Sequence, residues 1–186
     1  MEDIILITGG ARSGKSRFAE NMAKESNKRV LYIATAISCD KDMKDRILKH
    51  KQSRPKDWKV LEKYKEFDEI KDLDGFKQWD VILLDCITLM VSNLLLESGL
   101  DFDTCNMLEV DNVEEYILNE IDKLLNVVKS EGKRLILVTN EVGMGLVPSY
   151  RLGNIFRDIA GRVNQYLAQR ASEVYFTVSG IPMKIK

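Results

Sequence analysis

A glycine-rich turn near the N-terminus constrains the fold of this chain more than any other sequence feature. The stretch ITGGARSGKSRFAE begins at Ile7, and its Gly9, Gly14, Lys15 and Ser16 match the pattern GxxxxGK followed by Ser or Thr. The apolar run before the pattern predicts a strand, and the residues after it predict a helix. A turn of this composition between a strand and a helix is typical of a phosphate-binding loop in an α/β sheet.

Further apolar runs of strand length alternate with helical patterns along the rest of the chain. The predicted strands span residues 4–8, 30–34, 81–85, 135–139 and 174–178. The predicted helices span residues 15–25, 42–52, 87–97, 113–130 and 152–171. Strands that are apolar along their whole length and alternate with helices are buried on both faces. The pattern therefore predicts an α/β, P-loop NTPase-like fold, with a doubly wound, mostly parallel sheet and helices on both faces.

Three shorter segments are also assigned from their composition. The final residues, GIPMKIK, are compatible with a terminal edge strand, where a proline is tolerated. A short strand is expected after Trp58. Residues 99–111 are polar and acidic, and they are predicted to form a mobile surface connection.

Length and charge limit the class of protein. A chain of 186 residues with 45% hydrophobic content favours one domain, and no repeat or linker divides it. Residues 1–186 are therefore predicted to form a single P-loop nucleotide-binding catalytic domain. The 28 basic and 29 acidic residues give a formal net charge of -1, which leaves no broad basic surface for a nucleic-acid backbone. Nucleic-acid partners are therefore disfavoured.

The sequence predicts neither a targeting segment nor a membrane span. The N-terminal residues MEDIILITGG carry two acids and a short apolar run, unlike a signal or transit peptide. The most apolar stretch, residues 81–96, is interrupted by polar residues and predicts a core strand followed by a buried helix. A cytoplasmic protein is expected.

The few cysteines and the single histidine limit the metals that this chain can bind. Cys39, Cys86 and Cys105 are widely spaced, which favours reduced thiols. His50 is the one histidine of the chain, so a multi-histidine metal site within one subunit is excluded. Any metal should therefore be a hard cation bound by oxygen, and Mg²⁺ is the expected ion.

The glycine-rich loop predicts a phosphate site with an adjoining Mg²⁺ site. Glycines ahead of a helix present backbone N–H groups and the helix dipole to a phosphate. Lys15 adds a positive charge near the β- and γ-phosphates, and the Ser16 hydroxyl can bind Mg²⁺. Asp85, at the end of the apolar strand in WDVILLDC, is the expected second Mg²⁺ ligand. Its alternative role is to cap the helix that starts at Ile87, and the two roles are compatible.

His50 lies in a charged helical pattern, KDMKDRILKHKQSRPKDW, which begins at Lys41. Arg46 and His50 are four residues apart and share a helix face, and Arg54 with Pro55 ends the pattern. A lone histidine on such a helix is most often a solvated surface residue. The alternative is a nucleophile, since neutral imidazole, with an ordinary pKa of about 6.5, can attack phosphorus to form a phosphoramidate. The residues alone leave both interpretations open.

A set of sequence elements resembles the bifunctional adenosylcobinamide kinase / adenosylcobinamide-phosphate guanylyltransferase family of cobalamin biosynthesis. In chain order they are GGARSGKSR from Gly9, YIATA from Tyr32, RILKH from Arg46, RPKDW from Arg54, LLDCIT from Leu83, TNEVGMGLVP from Thr139, FRDIAGRVNQ from Phe156 and VSGI from Val178. The phosphate loop is generic, but the full set is specific to this family and covers nearly the whole chain. Residues 64–78 and 99–112 lie outside the resemblance.

The resemblance implies an enzyme with two reactions on a corrinoid. The first phosphorylates adenosylcobinamide with ATP or GTP. The second transfers GMP from GTP to adenosylcobinamide phosphate, giving adenosylcobinamide-GDP and pyrophosphate. By the same resemblance, His50 is the histidine that becomes guanylylated, and Lys15 acts with it in catalysis. A homotrimer is implied too, to which residues 87–96 could contribute an interface, although an intramolecular core explains their apolar character equally well.

The resemblance also implies a set of nucleotide contacts, in the phosphate loop, after the second strand, after His50 and at two acids. These are Gly9, Gly10, Ala11, Arg12, Ser13, Gly14, Lys15, Ser16, Ala34, Thr35, Ala36, Lys51, Gln52, Ser53, Arg54, Glu62 and Asp85. From the residues alone, residues 34–36 lie at the carboxyl end of a strand, where ligands of open α/β sheets bind, or they form an ordinary loop leaving the strand. Glu62 is a solvated acid as readily as a ligand of ribose or guanine.

Several polar residues near the C-terminal half have alternative interpretations. Asn140 and Glu141 follow an apolar strand and could form a wall of the corrinoid or nucleotide pocket, or they could belong to ordinary loop geometry that needs glycine. Arg151, Arg157 and Arg162 could face phosphate, a neighbouring subunit or solvent.

One nucleotide-binding loop would have to serve two different bond cleavages. A phosphate loop places the γ-phosphate for transfer, whereas His50 must reach the α-phosphorus, so we expect the helix that carries His50 to move between the two reactions. Two other functions remain open at this stage. One is a simple P-loop small-molecule kinase in which His50 is structural, and the other is a non-enzymatic nucleotide-dependent switch or assembly protein.

Overall fold

The strands form one mixed sheet. The structure is a computed structural model that describes residues 3–36, 55 and 57–186. Within these residues the seven strands are β1 (Ile4–Gly9), β2 (Val30–Ala34), β3 (Lys59–Glu62), β4 (Val81–Asp85), β5 (Arg134–Val138), β6 (Glu173–Val178) and β7 (Ile181–Lys184). Their order across the sheet is β3-β2-β4-β5-β1-β6-β7. Every neighbouring pair is parallel except β6 and β7, so the predicted mostly parallel sheet and both added strands are confirmed.

Helices cover the sheet on both faces. The described α-helices are α1 (Lys15–Glu25), α2 (Ile87–Glu97), α3 (Met107–Ser130) and α4 (Arg151–Arg170), and two 3-10 helices span Phe67–Asp72 and Phe76–Gln78. The predicted helix over residues 42–52 lies outside the described residues. None of the helices in the described part of the chain combines the length and the apolar character needed to cross a membrane.

The alternation of side chains along the strands separates the core into two layers. On β2, Leu31 and Ile33 pack in the layer that contains α2, α3 and α4. Tyr32, between them in sequence, packs in the other layer, against α1 and Trp58. Successive residues of a strand point to opposite faces, so apolar residues at every position are required when both faces are covered. The predicted doubly wound α/β fold is therefore confirmed.

Residues 87–96 contribute mainly to the core of this chain. The buried residues of α2 are Ile87, Thr88, Met90, Val91, Leu94 and Leu95. Leu96 is exposed at the end of the helix. The intramolecular explanation of this apolar segment is therefore the one that the structure supports.

The prediction of a connection over residues 99–111 is wrong from Met107 onward, where α3 begins. Asn106 Oδ1 accepts a hydrogen bond from the Glu109 N–H at 3.0 Å, and Glu109 Oε2 accepts one from the Asn106 N–H at 2.9 Å. This reciprocal capping box satisfies two N–H groups that a helix start leaves without partners. Because of this cap, α3 begins at Met107, earlier than its apolar periodicity indicates.

Two of the arginines of α4 hold neighbouring segments. Arg151 donates to the carbonyl oxygens of Phe102 and Cys105, each at 2.7 Å, and so fixes the chain ahead of α3. Arg162 donates through Nε and Nη2 to the two carboxylate oxygens of Glu114 on α3, each at 2.6 Å. These contacts give both arginines structural roles within one subunit.

Loss of the capping box should destabilise the protein measurably. We expect Asn106→Ala to lower the free energy of unfolding by about 1 kcal/mol, because the Glu109 N–H loses its acceptor. The matched control is Asn112→Ala, at an exposed position inside the same helix, which should change it by less than about 0.5 kcal/mol. Urea unfolding followed by circular dichroism measures both. Equal effects of the two substitutions would contradict the capping role.

Candidate nucleotide-binding site

The register of the sheet brings the predicted site residues to one edge. Ala34, the last residue of β2, pairs with Glu62 on β3 and with Asp85 on β4. Asp85 pairs in turn with Val138, which also pairs with Ile7 on β1. The carboxyl ends of four parallel strands are thus aligned, and the loop after β1 lies at the same edge. Ligands of open α/β sheets bind at this edge.

Two glycines permit the conformation of the loop between β1 and α1. At Gly9, an added Cβ would lie 2.4 Å from the carbonyl oxygen of Thr177 on β6, so no side chain fits. Gly14 has a φ of +94° and faces Gly180, whose Cα would lie 3.1 Å from an added Cβ. Both positions therefore require glycine, for close approach and for a left-handed backbone. Residues 10–13 form the turn between them, with Ala11 and Arg12 exposed.

The turn between β6 and β7 supports this loop. The Gly180 N–H donates to the Ser13 carbonyl oxygen at 2.8 Å, and the Ser13 N–H donates to the Gly10 carbonyl oxygen at 3.2 Å. The Ser13 hydroxyl is buried and has no hydrogen-bond partner within residues 3–36, 55 and 57–186. The sequence predicted the terminal strand but not this contact, which depends on how β7 folds back against β6.

Lys15 is held against the loop that precedes it. Its side chain is only 7% exposed, and its Nζ donates to the Gly10 carbonyl oxygen at 2.9 Å. Burial lowers the pKa of Lys15 from its ordinary value, while Cys86 and the Asp85 carboxylate raise it. A buried cation at a turn of backbone N–H groups favours an anionic ligand.

Asp85 lies partly exposed at the carboxyl end of β4. The Tyr32 hydroxyl donates to its Oδ2 at 2.9 Å. The capping position of α2 is Cys86, with no side-chain hydrogen bond at the helix start, so the predicted capping role for Asp85 is wrong. Its carboxylate is instead bound from the neighbouring strand. Burial raises the pKa of Cys86 to about 12, which keeps this thiol protonated.

The predicted reduced state of two cysteines is confirmed. Cys86 and Cys105 are free thiols. Cys39 lies outside the described residues.

The segment after β2 is fixed by its middle residue. Thr35 is buried, and its hydroxyl donates to the Cys86 carbonyl oxygen at 2.7 Å and accepts from the Cys86 N–H at 2.8 Å. The Asn93 side chain donates to the Thr35 carbonyl oxygen at 2.7 Å. The Thr35 side chain is therefore committed to internal bonds, and the partly exposed neighbours Ala34 and Ala36 present this segment to the site.

A buried polar network lies between the loop and Asp85, because β5 separates β1 from β4. The Thr139 hydroxyl donates to Asn164 Oδ1 at 2.7 Å and lies 3.1 Å from the Thr88 hydroxyl oxygen. Thr88 Oγ1 accepts from the Asn140 N–H, and the Asn164 side chain donates to the Asn140 carbonyl oxygen. These bonds fix Asn140 at the end of β5. The sequence analysis missed this network, whose members belong to elements distant in sequence.

Glu141 belongs to the same turn. Its N–H donates to the Gly9 carbonyl oxygen at 2.9 Å, and its carboxylate accepts from the Gly143 N–H at 2.6 Å. The second contact supports the loop-geometry interpretation of this acid. The first contact ties the turn after β5 directly to the glycine-rich loop.

The donor set at this edge fits Mg²⁺ bound together with a phosphate. Asp85 supplies one carboxylate, and Ser16 supplies a partly exposed hydroxyl in the first turn of α1. Residues 3–36, 55 and 57–186 contain no cluster of three or more His, Cys, Asp or Glu side chains arranged for a metal. Mg²⁺ is typically bound by one or two carboxylates with waters and substrate phosphates, whereas a cage of protein ligands suits other ions.

Of the remaining predicted site residues, the structure describes only Glu62. Glu62 ends β3 and is exposed at the same edge as Ala34. The predicted catalytic residue His50 and the predicted contacts Lys51, Gln52, Ser53 and Arg54 lie outside the described residues.

Comparison with known proteins gives matches over almost the full chain. A family model described as cobinamide kinase / cobinamide phosphate guanyltransferase matches residues 5–185. Proteins named bifunctional adenosylcobalamin biosynthesis protein CobU, from Escherichia coli K12 and Salmonella typhimurium LT2, are 48% and 47% identical over 183 residues, covering 98% of this chain and 99% of each relative. The bifunctional adenosylcobalamin biosynthesis protein CobP of Pseudomonas aeruginosa PAO1 is 39% identical over 187 residues, covering 100% of this chain and 98% of that relative.

Burial of Lys15 should cost stability in the ligand-free protein. Its lowered pKa means that the folded state binds this proton less tightly than the unfolded chain does. Protonation of Lys15 therefore opposes folding below its folded-state pKa, and this cost is lost as pH rises through that pKa. We expect Lys15→Met to raise the thermal unfolding midpoint by roughly 2 to 4 °C at pH 7, with the gain shrinking toward pH 10.

The control for this prediction is Lys24→Met, at an exposed position in the last turn of α1. It should leave the midpoint nearly unchanged at both pH values. Differential scanning calorimetry without nucleotide measures all three proteins. A lower midpoint for Lys15→Met would contradict the destabilising role of the buried ammonium.

Proposed function

The chain belongs to the cobinamide kinase / cobinamide phosphate guanyltransferase family, and from this we propose which of its residues bind the substrates and the cation and which one reacts. It is a bifunctional enzyme of cobalamin biosynthesis that phosphorylates cobinamide and transfers a guanylyl group to the phosphate. Its substrates are therefore corrinoids and nucleoside triphosphates. A single observation carries the proposal for the site. The glycine-rich loop, with its buried Lys15, and the Asp85 carboxylate lie at one edge of the sheet.

In our proposal, the triphosphate of GTP or ATP lies against residues 9–16. The N–H groups of the turn and the first turn of α1 bind its oxygens, as they do in other phosphate loops. The Lys15 ammonium then exchanges its bond to the Gly10 carbonyl oxygen for a phosphate oxygen, which recovers part of the desolvation cost of its burial. Ala34, Ala36 and Glu62 lie at the same edge and are the proposed neighbours of the nucleoside.

Ser16 and Asp85 are the proposed ligands of Mg²⁺. When bound, the ion supplies charge neutralisation for the phosphates. The chain itself contributes the orientation of these ligands: Ser16 is fixed by α1, and Asp85 by β4 and by the Tyr32 hydroxyl.

The guanylyl transfer is proposed to proceed through His50. A neutral imidazole nitrogen attacks the α-phosphorus of GTP, the bond to the bridging oxygen breaks, and pyrophosphate leaves with its electron pair. A phosphate oxygen of cobinamide phosphate then attacks the same phosphorus, the P–N bond breaks, and the imidazole is released for another cycle. The histidine thereby divides one difficult transfer into two easier ones. Support comes from the family resemblance around residues 46–58 and from the presence of one imidazole in the chain.

The two other functions considered from the sequence are not supported by the comparisons. A plain kinase and a non-enzymatic switch would each leave the guanyltransferase half of the family unexplained. The relatives at 48% and 47% identity are both named bifunctional.

The turn after β5 is the proposed wall of the corrinoid site. It begins beside the glycine-rich loop, through the bond from Glu141 to Gly9. Its apolar side chains Met144, Leu146, Val147 and Tyr150 are all exposed, and Leu146 is 96% exposed. An acceptor for the γ-phosphate must lie next to that loop, and a corrinoid ring offers a large, partly apolar face. We also propose that the protein forms the homotrimer that the resemblance implies.

The route through His50 predicts a labelled protein. With GTP labelled at the α-phosphate, the wild type should acquire acid-labile, alkali-stable label, and His50→Ala should acquire none, because no other imidazole exists in the chain. His50→Ala should retain phosphorylation of cobinamide, which serves as the control for folding and nucleotide binding. GMP transfer by His50→Ala at the wild-type rate would overturn this route.

The corrinoid wall predicts a selective loss of acceptor affinity. The double substitution Leu146→Ser and Val147→Ser should raise KM for cobinamide by roughly tenfold while KM for ATP or GTP stays within about twofold, because only the acceptor loses apolar contact. The control is Ile185→Ser. Ile185 is exposed, and its N–H donates to the carbonyl oxygen of Val174 near the amino end of β6, away from the proposed site, so the substitution should change neither KM. Sedimentation of the variants distinguishes the two roles of the surface: an altered mass with an unchanged KM would assign it to subunit contact instead.

A further inference from the structure

The Tyr32 hydroxyl is placed where packing alone does not require it. Tyr32 lies in the middle of β2 and is 1% exposed, in the core layer beneath α1. Its hydroxyl reaches Asp85 Oδ2 at 2.9 Å. Tyr32 pairs with Leu83, and Asp85 lies two residues further along β4 on the same face, so the phenol spans a diagonal of the sheet. Phenylalanine would fill the same volume without reaching the carboxylate by a hydrogen bond.

Trp58 fixes the ring that carries this hydroxyl. The two rings are stacked with centroids 6.3 Å apart and an interplanar angle of 27°. Trp58 is itself buried and directly precedes β3, which pairs with β2. The phenol is therefore enclosed by a strand on each side and by a ring, and its hydroxyl has a defined position relative to Asp85.

A hydrogen bond to one carboxylate oxygen restricts the rotation of the whole group. With Oδ2 bound to the phenol, Oδ1 is the oxygen left for another ligand. Groups that orient a metal-binding carboxylate in this way strengthen metal binding, because the ligand loses no rotational freedom when the ion arrives. The same bond in an uninvolved location would only satisfy a buried donor.

We propose that Tyr32 is a positioning residue that orients the Asp85 carboxylate for the divalent cation of the nucleotide complex. This inference rests on the proposed function, in which Asp85 is a Mg²⁺ ligand. Tyr32 touches neither nucleotide nor corrinoid in this role and acts through Asp85. This positioning role accounts for the tyrosine of the YIATA element, to which the sequence alone assigned no role.

The test measures cation binding directly rather than turnover. Mn²⁺ replaces Mg²⁺, and its free concentration is followed by electron paramagnetic resonance in the presence of a non-hydrolysable imido analogue of GTP. We expect Tyr32→Phe to weaken Mn²⁺ binding roughly tenfold. Its affinity for the analogue without divalent cation should stay within about twofold of wild type, since the triphosphate contacts of the loop are unchanged.

The matched control is Tyr166→Phe. Tyr166 lies on α4 and donates its hydroxyl to the Asp122 carboxylate on α3, so the substitution removes the same type of bond away from the site. It should leave Mn²⁺ affinity unchanged. If both substitutions lower stability but neither changes Mn²⁺ affinity, the Tyr32 bond is only structural and the proposal is overturned.

Two further variants keep the outcomes separate. Asp85→Asn should weaken Mn²⁺ binding strongly, and if it does so while Tyr32→Phe does not, only the positioning role is refuted. If Asp85→Asn has no effect either, the assignment of the cation site in the proposed function fails.

Should Tyr32→Phe not fold, Trp58→Phe loosens the stacked ring while retaining the hydroxyl, and a loss of Mn²⁺ affinity of about threefold is expected. Wild-type affinity in that folded variant would overturn the proposal.

Discussion

The approach of Gly9 to the Thr177 carbonyl oxygen determines the path of the glycine-rich loop, where the nucleotide site is proposed. At 2.4 Å from the position of an added Cβ, this oxygen excludes every side chain at the end of β1. The backbone can therefore turn directly against β6, and the carbonyl oxygen of Gly9 remains available for the Glu141 N–H. One close backbone contact thus brings together the loop after β1, the turn after β5 and the hairpin after β6. The orientation of Lys15 and of α1 follows from the path that this contact sets.

At the proposed nucleotide site, two features of the ligand-free protein are energetically unfavourable. Lys15 is buried with a carbonyl oxygen where a phosphate oxygen would bind it more strongly, and burial lowers its pKa. Arg12 has a positive φ of 62° in the same turn, a conformation that costs free energy for a residue with a side chain. The parallel strands and both core layers hold this turn in place. A stable sheet therefore supports a strained loop, as expected for a binding site positioned on a rigid scaffold.

Sequence patterns predicted the scaffold well because burial on both faces leaves a strong signal. The strands from Ile4 and from Val81 each begin with four consecutive buried apolar residues, and α1 begins and ends as its pattern indicates. The start of α3 was missed, although Asn106 and Glu109 carry the capping pattern, because the apolar residues between them, Met107 and Leu108, are exposed and do not extend the apolar face of the helix. The bond from Tyr32 to Asp85 and the bond from Thr139 to Asn164 were not predictable, since they depend on strand register and on the packing of α4.

The described residues on either side of His50 bear on how one loop serves two reactions. Before it, Thr35 is tied to Cys86 by two hydrogen bonds and to Asn93 by a third. After it, Trp58 is buried and stacked on Tyr32. Both anchors are thus linked to the end of β4, Thr35 through Cys86 and Trp58 through Tyr32, whose hydroxyl donates to Asp85. The anchors themselves belong to the core and lie beside the proposed cation site. Fixed ends of this kind limit the conformations that a connecting segment has to search, which is what these described residues would contribute to the proposed guanylyl transfer.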